Sequence, residues 1–181
     1  GKKYGYSSIF SQDQFKERVP IQNYESLKPY IERMMTGEQN VLWPSEIKWF
    51  AKSSGTTNAK SKFIPVSNEA LENCHYKASK DLLCMYLNNN ENSEMFLGKS
   101  LRLGGSSQIH ENNNTFFGDL SAILIENMPM WAEFSSTPSN KTSLMSEWES
   151  KLTAIINETR NENVTSFAGV PSWMLVLLNR I

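Results

Sequence analysis

Residues 47–52 read Ile47-Lys48-Trp49-Phe50-Ala51-Lys52, residues 62–66 read Lys62-Phe63-Ile64-Pro65-Val66, and a hydroxyl-rich stretch at residues 53–61 separates them. Short aromatic and β-branched runs bounded by polar clusters are strand-forming, so two strands and a connecting loop are expected. Ser67 then caps a long helix, and Glu69 lies in its first turn, where a carboxylate suits the helix dipole. Leu71, Cys74, Ala78, Leu82 and Met85 form its apolar face until Asn88-Asn89-Asn90, and that face is expected to pack on a sheet.

Working outward, residues 95–103 read as a strand ending at Gly104-Gly105-Ser106-Ser107, and the polar stretch through Asn112-Asn113-Asn114 reads as a loop. A short helix is expected from Asp119, and Leu144, Trp148, Leu152, Ile155 and Ile156 mark another to about Arg160. Residues 164–168 form a short strand feeding Gly169-Val170-Pro171, with Pro171 in the first turn of a last helix. Upstream, Ser11 caps a helix carrying Phe15 that Val19-Pro20 ends. Asn23 caps a second, whose Leu27, Ile31 and Met34 follow helical spacing until Gly37, with Pro29 early enough to be tolerated. Strands alternating with helices of this length imply parallel crossover units, so the expected class is α/β, a mostly parallel sheet flanked by helices.

Composition narrows the function. The 181 residues suit a single domain or a piece of a larger one, and 39% hydrophobic with 20% charged residues suits a buried core. Eighteen basic residues against nineteen acidic leave a net charge of -1, which argues against a nucleic-acid partner. The longest apolar runs, residues 122–125 and 174–178, fall far short of the roughly 20 that cross a bilayer, so no membrane partner is expected. Cys74 and Cys84 lie on one helix about 15 Å apart, too far for a disulfide, and sparse unpaired cysteine points to a cytoplasmic protein. Residue 1 is Gly and the chain stops at Ile181 inside an apolar run, so residues 1–181 are expected to be a fragment of a larger domain.

The segment most suggestive of chemistry is Ser53-Ser54-Gly55-Thr56-Thr57, four hydroxyls and a glycine between two strands, with Lys60 and Lys62 following. A polyphosphate needs several donors converging on anionic oxygens; glycine lets backbone N–H groups turn inward, and a lysine adds compact charge. Hydrogen bonds to charged groups contribute about 1.5–3 kcal/mol each, so three or four offset a desolvation that one would not. Neither glycine-rich alternative fits. Gly98-Lys99-Ser100 lacks the leading glycine of a Walker A loop, since position 93 is Ser, and Gly104-Gly105 is followed by Ser106 and Ile109 where a dinucleotide fingerprint needs glycines. His75 reads as a half-buried helix residue, His110 has no second ligand nearby, and no metal site is expected. Trp43, Trp49, Trp131, Trp148 and Trp173 read as core or pocket walls.

Phe50-Ala51-Lys52-Ser53-Ser54-Gly55-Thr56-Thr57 with Lys62 resembles the first ATP-binding motif of the auxin-responsive, Gretchen-Hagen-type acyl acid amido synthetases of the adenylate-forming superfamily. The resemblance extends upstream through Val19-Pro20-Ile21-Gln22-Asn23-Tyr24-Glu25 and Gly37-Glu38, and downstream through Gly169-Val170-Pro171-Ser172-Trp173-Met174. It implies part of the large N-terminal domain of such an enzyme, with Ser53, Ser54, Gly55, Thr56 and Thr57 holding the ATP phosphates. The family lysine aligns with Lys62 or, in the wider superfamily's spacing, with Ser61; Lys62 also brings Pro65 into place. The reaction implied is adenylation of a small carboxylic acid by ATP with Mg²⁺, then amide formation with an amino acid, and no protein nucleophile is needed. The family's second and third nucleotide motifs have no counterpart before Ile181, so this chain alone is expected to be inactive. The competing reading is a non-catalytic α/β binding module that retains the phosphate-binding loop.

Overall fold

The computed structural model describes residues 2–53, 61–105, 109–112 and 114–180. After two 3₁₀ turns come α1 (Gln12–Arg18) and α2 (Tyr24–Met35). Ser11 Oγ accepts from Gln14 N at 3.3 Å and Asn23 Oδ1 from Ser26 N at 2.9 Å, the expected N-caps. Pro29 sits in α2 on an exposed face, and Gly37, at φ 95, takes the left-handed conformation that stops the helix. β1 (Trp49–Lys52) and β2 (Phe63–Val66) follow, then α3 (Asn68–Ala70), a π-helical segment (Leu71–Tyr76) and α4 (Lys77–Asn89). Ser67 Oγ caps α3 by accepting from Ala70 N at 3.1 Å.

The second half holds β3 (Lys99–Leu103), β4 (His110–Asn112), β5 (Thr115–Gly118), α5 (Leu120–Glu126), α6 (Met130–Phe134), β6 (Ser136–Thr137), α7 (Asn140–Ser143), α8 (Trp148–Thr159), β7 (Val164–Gly169) and α9 (Pro171–Leu178). The class is α/β, with two sheets rather than one. The four-stranded sheet runs β2-β1-β5-β4 and is mixed, parallel only between β1 and β5; the three-stranded sheet β6-β3-β7 is wholly parallel.

β1 is buried on both faces, which fixes its central place. Phe50, fully buried, points to Ile31, Met34 and Ile47 on the α2 side; Ala51 points the other way to Val66, Leu71 and Ile123. The three-stranded sheet has its own core, Leu101 and Leu103 against Leu152 and Ile155 of α8 and Met174 and Leu177 of α9.

Four expectations need correction. The Asn-rich stretch expected to be a loop contains β4, which pairs antiparallel with β5 just beyond it; between them Asn114, at φ 61, takes the left-handed conformation asparagine tolerates. The strand expected from residue 95 starts at Lys99, and the helix expected from Leu144 starts only at Trp148, as α8, because Leu144 is the C-cap of α7. The apolar face of the long helix does not pack along its length: Leu71 is buried, whereas Leu82 is 68% and Met85 66% exposed. An i→i+5 turn holds one residue more than an α-turn, so the π segment slips the face by about 100° and carries Leu82 and Met85 out of line with Leu71.

This packing predicts opposite outcomes for two apolar truncations. Phe50→Ala should cost about 3–5 kcal/mol of unfolding free energy, and Leu82→Ala should stay within about 0.5 kcal/mol of wild type in urea titrations. A large loss at Leu82 would show that its helix face is covered.

Candidate functional site

Parallel pairing brings the carboxyl ends of four strands to one place. Lys52 and Ser53 end β1, Leu103-Gly104-Gly105 ends β3, Asp119 follows β5, and Gly169-Val170 ends β7; together with Ser61, Leu120, Ser121 and Trp173 they line a cleft of about 660 Å³. Ligands of open α/β sheets bind in such a crevice outside the carboxyl ends of strands. Close packing around it excludes larger side chains: a Cβ on Gly104 would meet Ile125 Cδ1 at 2.7 Å, and one on Gly169 would meet the Leu103 carbonyl oxygen at 2.9 Å. α9 begins beside the cleft with Pro171 in its first turn, so its positive dipole end lies near the opening.

Of the residues singled out from sequence, Ser54, Gly55, Thr56 and Thr57 lie outside the described residues. Ser53 and Lys62 form the base of their loop: Ser53 N donates to the Lys62 carbonyl at 2.8 Å, and Lys62 N donates to Ser53 Oγ at 3.2 Å. Ser53 and Ser61, on either side of residues 54–60, both line the cleft. The Lys62 ammonium lies over the Tyr24 ring, 5.0 Å from its centroid, and Tyr24 Oη in turn accepts from Phe63 N at 3.1 Å. The lysine among the cleft-lining residues is Lys52, and the carboxylate is Asp119.

Sequence reasoning passed over Lys52, Asp119 and the Gly104-Gly105 turn as site residues. Their shared signal is position, each directly at or after the carboxyl end of a parallel strand, and it becomes readable only once strand pairing is known. Lys151 on α8 was missed as well. It is fully buried, and its ammonium donates to the carbonyl oxygens of Gly104 and Gly105, each at 3.0 Å. Burial pulls this amine below the ordinary lysine value of 10.5. Arg102, the β3 residue two before Gly104, is also buried and lowered by desolvation against the opposing pull of Glu133; its guanidinium donates to Met128 Sδ and Asn140 Oδ1.

Apart from Trp173, the remaining candidates stand away from the cleft. His75 is half-buried on the π segment, His110 is exposed on β4, and among the described residues no group of three or more His, Cys, Asp or Glu side chains gathers for a metal. Trp49, Trp148 and Trp173 pack against the cores, but Trp131 is 70% exposed and Trp43 borders a separate apolar hollow of about 440 Å³. Both cysteines are free and exposed, and among the described residues no helix is long and apolar enough to cross a membrane.

Fold and cleft define an α/β protein with an open cleft where the carboxyl ends of two parallel strand pairs, β1–β5 and β3–β7, come together. The family described as the GH3 family N-terminal domain matches residues 1–180, and the chain belongs to that family. Similar curated proteins include the 4-substituted benzoates-glutamate ligase GH3.12 of Arabidopsis thaliana, 40% identical over 65 residues, which are 35% of this chain and 11% of that protein. The probable indole-3-acetic acid-amido synthetase GH3.13 of Oryza sativa subsp. japonica is 44% identical over 59 residues, 32% of this chain and 13% of that protein. Among solved structures, AtGH3.15 acyl acid amido synthetase in complex with 2,4-DB superposes with a TM-score of 0.72 at 21% identity, over 96% of this chain and 31% of that chain. The chain thus spans about a third of the length of that solved relative.

The buried amine predicts a pH signature. A lysine whose folded value is depressed contributes stability that is present above its unfolded value near 10.5 and is lost as pH falls through the folded value. Wild-type stability relative to Lys151→Met should therefore rise with pH on approach to 10.5 in urea titrations. Parallel pH profiles for the two proteins would contradict the burial argument.

Proposed function

We propose that this chain is the N-terminal, nucleotide-binding part of an ATP-dependent acyl acid amido synthetase, which adenylates a small carboxylic acid and passes the acyl group to an amino acid. The observation that carries the reading is the strand-end cleft of a GH3-family chain, with the hydroxyl-rich loop rooted at its edge through Ser53. The names of its relatives, amido synthetases and an acid-glutamate ligase, support the same chemistry.

The chemistry asks for electrostatics and alignment more than for a reactive side chain. A carboxylate oxygen attacks the α-phosphorus and pyrophosphate leaves, so two anions must approach and the developing charge must be neutralised. In this reading Ser53, Ser54, Gly55, Thr56 and Thr57 donate to the phosphates, Lys62 braces the return of the loop, and Lys52 adds positive charge at the cleft. Trp173 and Leu103 give the cleft an apolar wall that excludes water from the acyl phosphate. The donor set suits a metal carried on phosphates rather than a protein cage, because Mg²⁺ is held through one or two carboxylates plus substrate phosphates and Asp119 is the carboxylate on the described cleft wall. Mg²⁺ bound there would neutralise phosphate charge.

Acid-dependent exchange of labelled pyrophosphate into ATP tests the proposal in the full-length protein that carries this chain. Ser54→Ala or Thr56→Ala should slow exchange about tenfold or more, the scale of roughly 1.4 kcal/mol per decade, and Lys62→Ala should act in the same direction. Residues 1–181 alone should release no acid-dependent pyrophosphate. Unchanged exchange in both loop variants would overturn the assignment of the loop, and no exchange with any carboxylic acid would favour a non-catalytic binding module.

A further inference from the structure

Lys151 is an expensive way to hold two carbonyl groups. A neutral amide offers two N–H donors and loses far less hydration on burial than an ammonium does. Among the described residues no ion pair includes Lys151 or Arg102, and Arg102 Nε has no hydrogen-bond partner. Two buried cations therefore stand near the end of β3 without a bonded carboxylate, and one of them, Lys151, holds the part of the cleft wall formed by Gly104 and Gly105.

The backbone geometry gives that charge a direction. A trans peptide carries its C=O and N–H on opposite edges, so turning the Gly104 carbonyl onto the Lys151 ammonium turns the Gly105 N–H away from it, and Gly105 itself lines the cleft. The opposing charge on this wall is Asp119, whose Oδ2 lies 3.1 Å from the place a Cβ on Gly105 would take.

We propose that Lys151 is a positioning residue for anion binding, which from behind the wall fixes the Gly104-Gly105 turn so that the Gly105 N–H and the ammonium's field meet a phosphoryl oxygen in the cleft. That the anion is a phosphate rests on the nucleotide reading above. The hydrogen bonds to Gly104 and Gly105 supply orientation, and the unneutralised charge supplies attraction through a wall one peptide thick.

Amide NMR of the chain titrated with inorganic tripolyphosphate tests this directly. The Gly105 amide should shift saturably in wild type. Lys151→Met should move that amide before any ligand is added and weaken binding about tenfold or more, whereas Lys151→Arg should recover most of the affinity. Absence of binding, saturable binding that leaves the Gly105 amide unmoved, or Lys151→Met binding within about twofold of wild type would overturn the proposal. If Lys151→Met does not fold, the wild-type Gly105 response decides. Pyrophosphate exchange separates the two readings. A Gly105 response without exchange keeps the anion site and removes the ligase reading. Exchange in the full-length protein with KM for ATP unchanged by Lys151→Met removes only the role of Lys151.

Discussion

The four-stranded sheet, and through it the cleft, depends on a strand four residues long whose centre, Phe50 and Ala51, is buried on both faces. β1 carries Phe50 to one side and Trp49 and Ala51 to the other, and each side is closed by a different set of elements. The first is α2 with Phe117, stacked on Phe50 at 5.3 Å, and Phe63, edge-on to Phe117 at 5.5 Å. The second is the π segment with α5, tied by Tyr76 Oη donating to the Leu124 carbonyl at 2.9 Å; burial pushes that phenol to about 12. A strand so enclosed can vary little in position. Its carboxyl end, where Lys52 and Ser53 reach the cleft, inherits that rigidity.

The second strand set meets the first through α5 and α7, where Asn140 Nδ2 donates to the Ile125 carbonyl at 3.5 Å, and again at the cleft wall. Gly169 lets β7 approach the Leu103 carbonyl, and Gly104 lets β3 turn against Ile125. Lys151 then holds the turn from the α8 side. Glycine and a buried cation meet here, the ammonium of Lys151 bonding the carbonyls of both Gly104 and Gly105. The cost is borne by the separate apolar core beneath, where Leu101, Leu103, Leu152, Ile155, Met174 and Leu177 interlock.

What could be read from sequence divides along the range of the interaction. Ser11, Asn23, Ser67 and Pro171 mark helix starts through contacts within three residues, and all four stand where expected. The α/β class was legible because it needs only alternation of element types. β5 was not: its partner β1 lies more than sixty residues earlier, and nothing in Thr115-Phe116-Phe117-Gly118 announces that pairing over a loop. The site divides in the same way. Ser53 was legible from its hydroxyl-rich neighbours, but Lys52, Asp119 and Gly105 become one site only through parallel register, and Lys151 looks from sequence like any helix lysine.

The π segment of the long helix gives the protein two angular frames on one continuous axis. Leu71 belongs to the frame that seals β1, and Leu82, Met85 and Tyr86 belong to one turned outward, all of them substantially exposed. Insertions and deletions therefore act on this helix as rotations. Loss of one residue between Leu71 and Tyr76 would restore uninterrupted α-geometry and swing the outward apolar stripe through about 100° toward the sheet. The helix thus tolerates exchange of side chains along α4 far better than any change in the count of residues before it.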